Sequence, residues 1–138
     1  MGDQQDDRRK YQRYVCAIDE GVHGRFTFSP ERKELFTAYI FNISLGGMYF
    51  SVRNDQKNKF KKGDILTFVE IKKSGSQNYL INVEAEIIWM LNHHFLNHMG
   101  LGCKFLKISD NSKDQISKFI ESCSIAKNKP IMLNHDSL

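Results

Sequence analysis

Apolar and polar positions along this chain alternate in short bursts, and only near the C-terminus does the period lengthen to that of a helix. Tyr14-Val15-Cys16-Ala17-Ile18 is the first strand candidate. Asp19 to Gly24 carries turn chemistry, after which Arg25-Phe26-Thr27-Phe28 alternates up to Ser29-Pro30. Leu35 to Phe41 is rich in aromatic and β-branched residues, and Met48 to Val52 resumes the pattern after a polar interruption. Ile65 to Lys72 follows Gly63-Asp64, with Ile65, Thr67, Val69 and Ile71 expected on one face. The clearest strand is Asn78 to Leu91, where Ile81, Val83, Ala85, Ile87 and Trp89 alternate with Asn82, Glu84, Glu86 and Ile88 and so turn one face toward a core. Met99 to Leu106 closes the series, and its Gly100 and Gly102 suggest a bulge or the close approach of another backbone. Between strands, Arg53 to Lys62 has room for a short helical turn, while Lys73 to Gln77 and Asn92 to Asn97 read as loops. Alternation at Phe26, Phe28, Tyr39 and Phe41 fits core filling better than a stacking face for RNA.

Ser109-Asp110 then supplies a helix N-cap, and Ile116, Phe119, Ile120 and Cys123 recur at helical spacing, predicting one amphipathic helix over about 110–124. Residues 125–138 lack periodicity and are expected to be a loose tail, and the acidic, polar residues 1–7 to be disordered. Many short strands followed by one helix predict an all-β fold, a small antiparallel β-barrel spanning about 14–108 with one C-terminal α-helix packed on it.

Composition narrows the classes. A chain of 138 residues suits one domain with one core. The net charge of +4 leans mildly toward anionic partners without the basic footprint of a general DNA or RNA binder. Lys57, Lys59, Lys61 and Lys62 read as a solvated loop. Cys16, Cys103 and Cys123 stand far apart, odd in number and without a Cys-x-x-Cys, and read as buried reduced thiols. No apolar run approaches the roughly 20 residues of a membrane helix, so no membrane insertion is expected. The acidic start is no secretory signal, Asp6 spoils the myristoylation pattern, and the cytoplasmic location is the default. His93, His94 and His98 are close together but read as exposed loop residues, so no metal is expected. Nucleophile elbow, Walker loop and zinc-protease motifs are missing, and no carboxylates are paired for acid–base work, so an enzyme is not expected.

Two polar stretches remain. Asn42-Ile43-Ser44-Leu45-Gly46-Gly47 lies between two strand candidates, and by itself is a turn in which Gly46 and Gly47 can take positive φ while Asn42 and Ser44 bond nearby backbone. Arg8-Arg9-Lys10-Tyr11-Gln12-Arg13 stands near the N-terminus. An Arg-x-x-x-Arg (Arg9, Arg13) followed by Asn-x-Ser-x-x-Gly (Asn42, Ser44, Gly47) resembles the two-part signature of the PilZ domain family, known for binding the bacterial second messenger cyclic di-GMP. Glu84 to Trp89 resembles that family's late strand, and Gly100 to Phe105 its Gly-x-Gly-x-x-Phe strand, so the likeness covers roughly residues 8–123. The resemblance implies a six-stranded antiparallel barrel and a stand-alone PilZ protein.

It also implies a site. Arg9 and Arg13, with Arg8 as a third, would grip the ligand from an arm at 8–13, mobile until the ligand arrives. An arginine fork matches both the N7/O6 edge of guanine and phosphate oxygens. Asn42 would meet guanine N–H groups, more weakly than the Asp also found there in the family. Ser44 would offer a hydroxyl to a phosphate or a base, an interaction that can coexist with bonding inside the turn. Gly46 and Gly47 would let backbone N–H groups and a flat base come close. The expected role is a cytoplasmic receptor that passes the signal to an unidentified downstream protein, in motility or biofilm control, as a monomer or weak dimer. The alternatives are a PilZ-scaffold interaction protein of motility or pilus assembly that binds no nucleotide, and a small single-stranded nucleic-acid barrel. Arg8 beside Arg9 favours two ligand molecules per chain over one.

Overall fold

The computed structural model describes residues 13–16, 20–28, 34–93 and 97–137, the side chains of 54, 57, 93 and 124–137 excepted. Among the described residues the strands are β1 (Tyr14–Val15), β2 (Val22–Phe28), β3 (Leu35–Ile43), β4 (Gly47–Arg53), β5 (Ile65–Lys73), β6 (Asn78–His93) and β7 (His98–Leu106). A short 3-10 helix, Asn54–Lys59, links β4 to β5, and the helix α1 spans Asp110–Ser137. The strands run antiparallel in the order β1-β3-β2-β5-β6-β7-β4, and pairing of β4 back onto β3 closes six of them into a barrel. β1 lies beside the end of β3 that β2 leaves open, with Tyr14 opposite Ile43 and Val15 opposite Asn42.

Inside the barrel the aromatic residues of β2, β3, β4, β5 and β7 form one stack. Phe26 lies nearly parallel to Phe36, Phe50 and Phe68, with ring centroids 4.6 to 5.2 Å apart, and Phe68 reaches Phe105 at 6.1 Å. Phe26, Phe50 and Phe68 are fully buried, each contributing about 1.5–3 kcal/mol by leaving water.

Helix α1 begins as its cap predicts: the Ser109 hydroxyl accepts from the Ser112 N–H at 3.1 Å. Buried Ser112 donates its hydroxyl to the Ile81 carbonyl, and Ile116, Phe119 and Cys123 are buried as the helix packs on β6.

Several boundaries differ from the sequence pattern. Val22, His23 and Gly24 belong to β2, because the positive φ of Gly21 completes the turn three residues before Gly24. On β5 the inward face is Leu66, Phe68 and Ile71, since the ladder shifts register between Phe68 and Glu70 and changes the parity. β6 runs to His93, which pairs with His98, so these histidines sit at strand ends rather than in a loop; His94 lies outside the described residues. The helix continues past 124 to Ser137 in place of a loose tail. Ala126, Lys127, Lys129, Met132 and Leu133 have good helix propensity, while Pro130 lacks the N–H of one ladder bond and Asn128 is a weaker helix former.

Candidate functional site

The Asn42–Gly47 stretch is less a turn than a strand end followed by a tight corner. Asn42 and Ile43 are still in β3, and Asn42 is held between Val15 of β1 and Tyr49 of β4. The corner is Ser44-Leu45-Gly46, closed by the Ser44 N–H donating to the Gly47 carbonyl at 2.9 Å. The Ser44 side chain is buried, accepts from the Gly46 N–H at 3.1 Å and donates to the Gly47 carbonyl at 3.4 Å. Its work is therefore inside the turn, the self-bonding pattern expected of such a serine.

The two glycines do not serve as positive-φ residues. Among the described glycines that role falls to Gly21, Gly63 and Gly75. Gly47 is needed for space: a Cβ there would strike the Cys103 carbonyl and crowd Lys104 at 3.1 Å. The Gly46 carbonyl accepts from the Phe105 N–H at 2.9 Å, which locks the corner against β7.

Two register shifts shape the wall beside this corner. One lies between Ile40 and Asn42 on β3, the other between Ile87 and Trp89 on β6. The second shift brings Trp89 to the outside, 40% exposed, where alternation would have buried it. Trp89 stacks on Tyr49 at 4.8 Å, and Tyr49 on Phe41 at 5.1 Å. Gly100 and Gly102 make the room: a Cβ on either would collide with the ring of Tyr49 or of Trp89 respectively. The close approach is by aromatic rings rather than by backbone, and the bulge is on β6 opposite them.

These parts bound a cleft of about 190 Å³. Arg13, Asn42, Ser44, Gly46 and Gly47 line it together, so five of the expected site residues converge. Arg8 and Arg9 lie outside the described residues. Tyr49, Ile88, Trp89 and Lys104 also line it, beside Met48, Gly102 and Cys103, and are not among the expected contacts. Placing Trp89 requires foreseeing the β6 bulge, for which the glycine pair opposite is a hint, whereas Tyr49 follows from plain alternation on β4 between buried Met48 and Phe50. Lys104 pairs loosely with Glu86 at 3.7 Å, while Arg13 is exposed. Buried Cys103 at the cleft floor has its thiol pushed up to about 12 by desolvation, so it stays neutral. Burial also raises the Tyr49 phenol. The cleft thus offers two cations, one carboxamide and an indole face, which suits a planar base carrying an anion. A larger groove of about 360 Å³ lies between β2, β3 and β5, with His23, Arg25, Glu70 and Lys72 in its lining, and none of the described motif residues lines it.

The fold and corner define a small closed barrel with a C-terminal helix. The PilZ domain family model matches residues 7–122, and the chain belongs to that family. Among solved structures, it is similar to the PilZ domain with c-di-GMP of YcgR from Escherichia coli, at TM-score 0.65 and 17% identity, covering 90% of this chain and 97% of that one. It is also similar to the Bacillus subtilis inhibitor of motility (MotI/DgrA), at TM-score 0.58 and 18% identity over 87% of this chain. The K. pneumonia MrkH–c-di-GMP complex is matched at TM-score 0.61 and 13% identity over 89% of this chain. The chain spans about half the length of these last two proteins, 53% and 55%. Comparison with curated proteins gives no match. Among the described residues, no helix is long and apolar enough to cross a membrane.

Proposed function

We propose that this protein is a receptor for cyclic di-GMP. The observation that carries the reading is the meeting of Arg13 with Asn42, Gly46 and Gly47 in one cleft beside an exposed indole. Family membership and the cyclic di-GMP named for the YcgR and MrkH structures support it. Arg13, with Arg9 and Arg8, grips guanine edges and phosphates, Asn42 meets a guanine N–H, and Trp89 offers its face to a base. Ser44 acts by shaping the corner, and Gly47 by letting β4 lie against β7. Charge-assisted bonds of about 1.5–3 kcal/mol each are offset by roughly 1–2 kcal/mol for each residue whose freedom is lost on binding. The surplus is modest, so the dissociation constant falls on the order of micromolar, near −8 kcal/mol. The captured arm then presents or hides a surface for a protein partner. Titration calorimetry with cyclic di-GMP, GMP and a short oligonucleotide tests this. Preferred binding of cyclic di-GMP with quenching of Trp89, the single tryptophan, supports the receptor. A flat titration favours a PilZ scaffold that binds protein alone, and oligonucleotide preference a nucleic-acid barrel. A ratio of two ligands per chain is expected from the Arg8–Arg9 pair.

A further inference from the structure

Arg13 and Tyr14 are chain neighbours with opposite surroundings. Arg13 is exposed at the cleft, whereas Tyr14 is buried. The Tyr14 hydroxyl donates to Glu20 Oε2 at 2.5 Å, and its ring meets Phe119 of α1 edge-on, centroids 6.4 Å apart at 89°. Phe119 meets Tyr79 of β6 in the same manner at 5.7 Å. Cys123, one helical turn beyond Phe119, is buried as well. Burial first, then the Glu20 carboxylate, push the phenol far above its ordinary range, so the hydroxyl remains a donor at neutral pH. On the other side, Val15 pairs with Asn42, and the Cys16 N–H donates to the Phe41 carbonyl at 2.8 Å. The short strand β1 therefore continues from Arg13 at the cleft, pairs through Val15 with cleft-lining Asn42, and meets the helix through Tyr14.

We infer that Tyr14 is a positioning residue for Arg13, and that through it occupancy of the cleft and seating of α1 form one coupled equilibrium. The inference rests on the reading of the cleft as a cyclic di-GMP site. One peptide unit, about 3.8 Å between Cα atoms, separates the two residues, so holding Tyr14 fixes where the Arg13 side chain leaves the barrel. A pre-placed arginine loses less freedom when it binds, and the saving appears as affinity. Coupling is reciprocal: whatever loosens Tyr14 from Phe119 weakens the ligand, and ligand tightens the helix.

Two variants of the full chain test it, Tyr14→Phe, which keeps the ring and removes the hydroxyl, and Phe119→Leu, which acts from the helix. Far-UV circular dichroism verifies folding, and each variant stands as a test without the other. The expected result is a rise of roughly fivefold in the dissociation constant for cyclic di-GMP in each, with a less than multiplicative effect in the double variant. Amide exchange supplies a readout that a purely structural role would not move. Saturating ligand should slow exchange over 112–123 in the parent and fail to do so in Tyr14→Phe. Unchanged affinity in both variants, or parent helix exchange indifferent to ligand, overturns the coupling while leaving the receptor intact. A parent that binds no cyclic di-GMP overturns the receptor reading itself, and the coupling with it.

Discussion

Two aromatic stacks cross this barrel, one on each side of its wall. The inner stack, Phe36–Phe26–Phe50 with Phe68 and Phe105, has rings tilted by only 7° to 23° from one another. The outer stack, Phe41–Tyr49–Trp89, is tilted by 35° to 50° and leaves Trp89 40% exposed. The inner rings follow from strand alternation. The outer rings depend on interruptions of it: register shifts at Ile40/Asn42 and Ile87/Trp89, and glycines at 100 and 102 that leave room for the rings. Regular pattern yields stability here, and its interruption yields a surface able to receive a ligand.

The comparison breaks most visibly at Phe26. Phe26→Ala removes the ring that touches three others and should cost about 3–5 kcal/mol of stability in denaturant unfolding. Below about 1 kcal/mol, the inner stack would not be the structural member described. Arg13→Ala should do the reverse. Loss of a charge-assisted pair to a desolvated ligand weakens cyclic di-GMP binding by about 2–4 kcal/mol, read by calorimetry. Its thermal midpoint should match the parent's, because the side chain is exposed. Affinity untouched in an Arg9→Ala/Arg13→Ala double variant would remove the arm from the site.

The same contrast marks how far the sequence could be read. The strand series, the Ser109 cap and the inward run Ile81, Val83, Ala85 and Ile87 all obey a simple period, and each stands where the period puts it. The inward face of β5 and the side taken by Trp89 were misplaced, because one extra residue in a ladder reverses parity without any compositional mark. At the cleft, the family motifs point to the corner and Arg13, which the fold brings together, but not to Ile88 or Lys104, which come from strands distant in sequence, nor to Tyr49, two residues beyond Gly47 on β4. Gly47 does not take the positive φ that its turn context suggests: what requires a glycine there is the Cys103 carbonyl across the sheet, a contact that only the tertiary structure contains.

Trp89 sharpens the contrast at smaller scale. If the outer stack is a binding face, Trp89→Ala should reduce affinity by about 1–3 kcal/mol, the usual worth of a base on an aromatic platform. The unfolding midpoint should move far less than in Phe26→Ala, since the indole is part exposed. A large stability loss with unchanged affinity would place Trp89 with the core stack in function, whatever its exposure.

The smallest effect is expected at Asn42. Its backbone is paired on both flanks, to Val15 and to Tyr49, so Asn42→Asp should leave the fold intact. The carboxylate is a stronger acceptor for a guanine N–H, and Arg13 and Lys104 in the same cleft offset its charge. Against this stands repulsion from the ligand phosphates, which falls with salt over a Debye length of about 8–10 Å. If the carboxamide faces the base, the two tendencies nearly cancel at physiological salt, and affinity holds within about threefold or rises, under 0.7 kcal/mol either way. Titration at two salt concentrations separates them. A loss of about tenfold or more, relieved as salt is raised, would mean that residue 42 faces a phosphate, and the guanine contact would then have to come from Arg13 or Lys104.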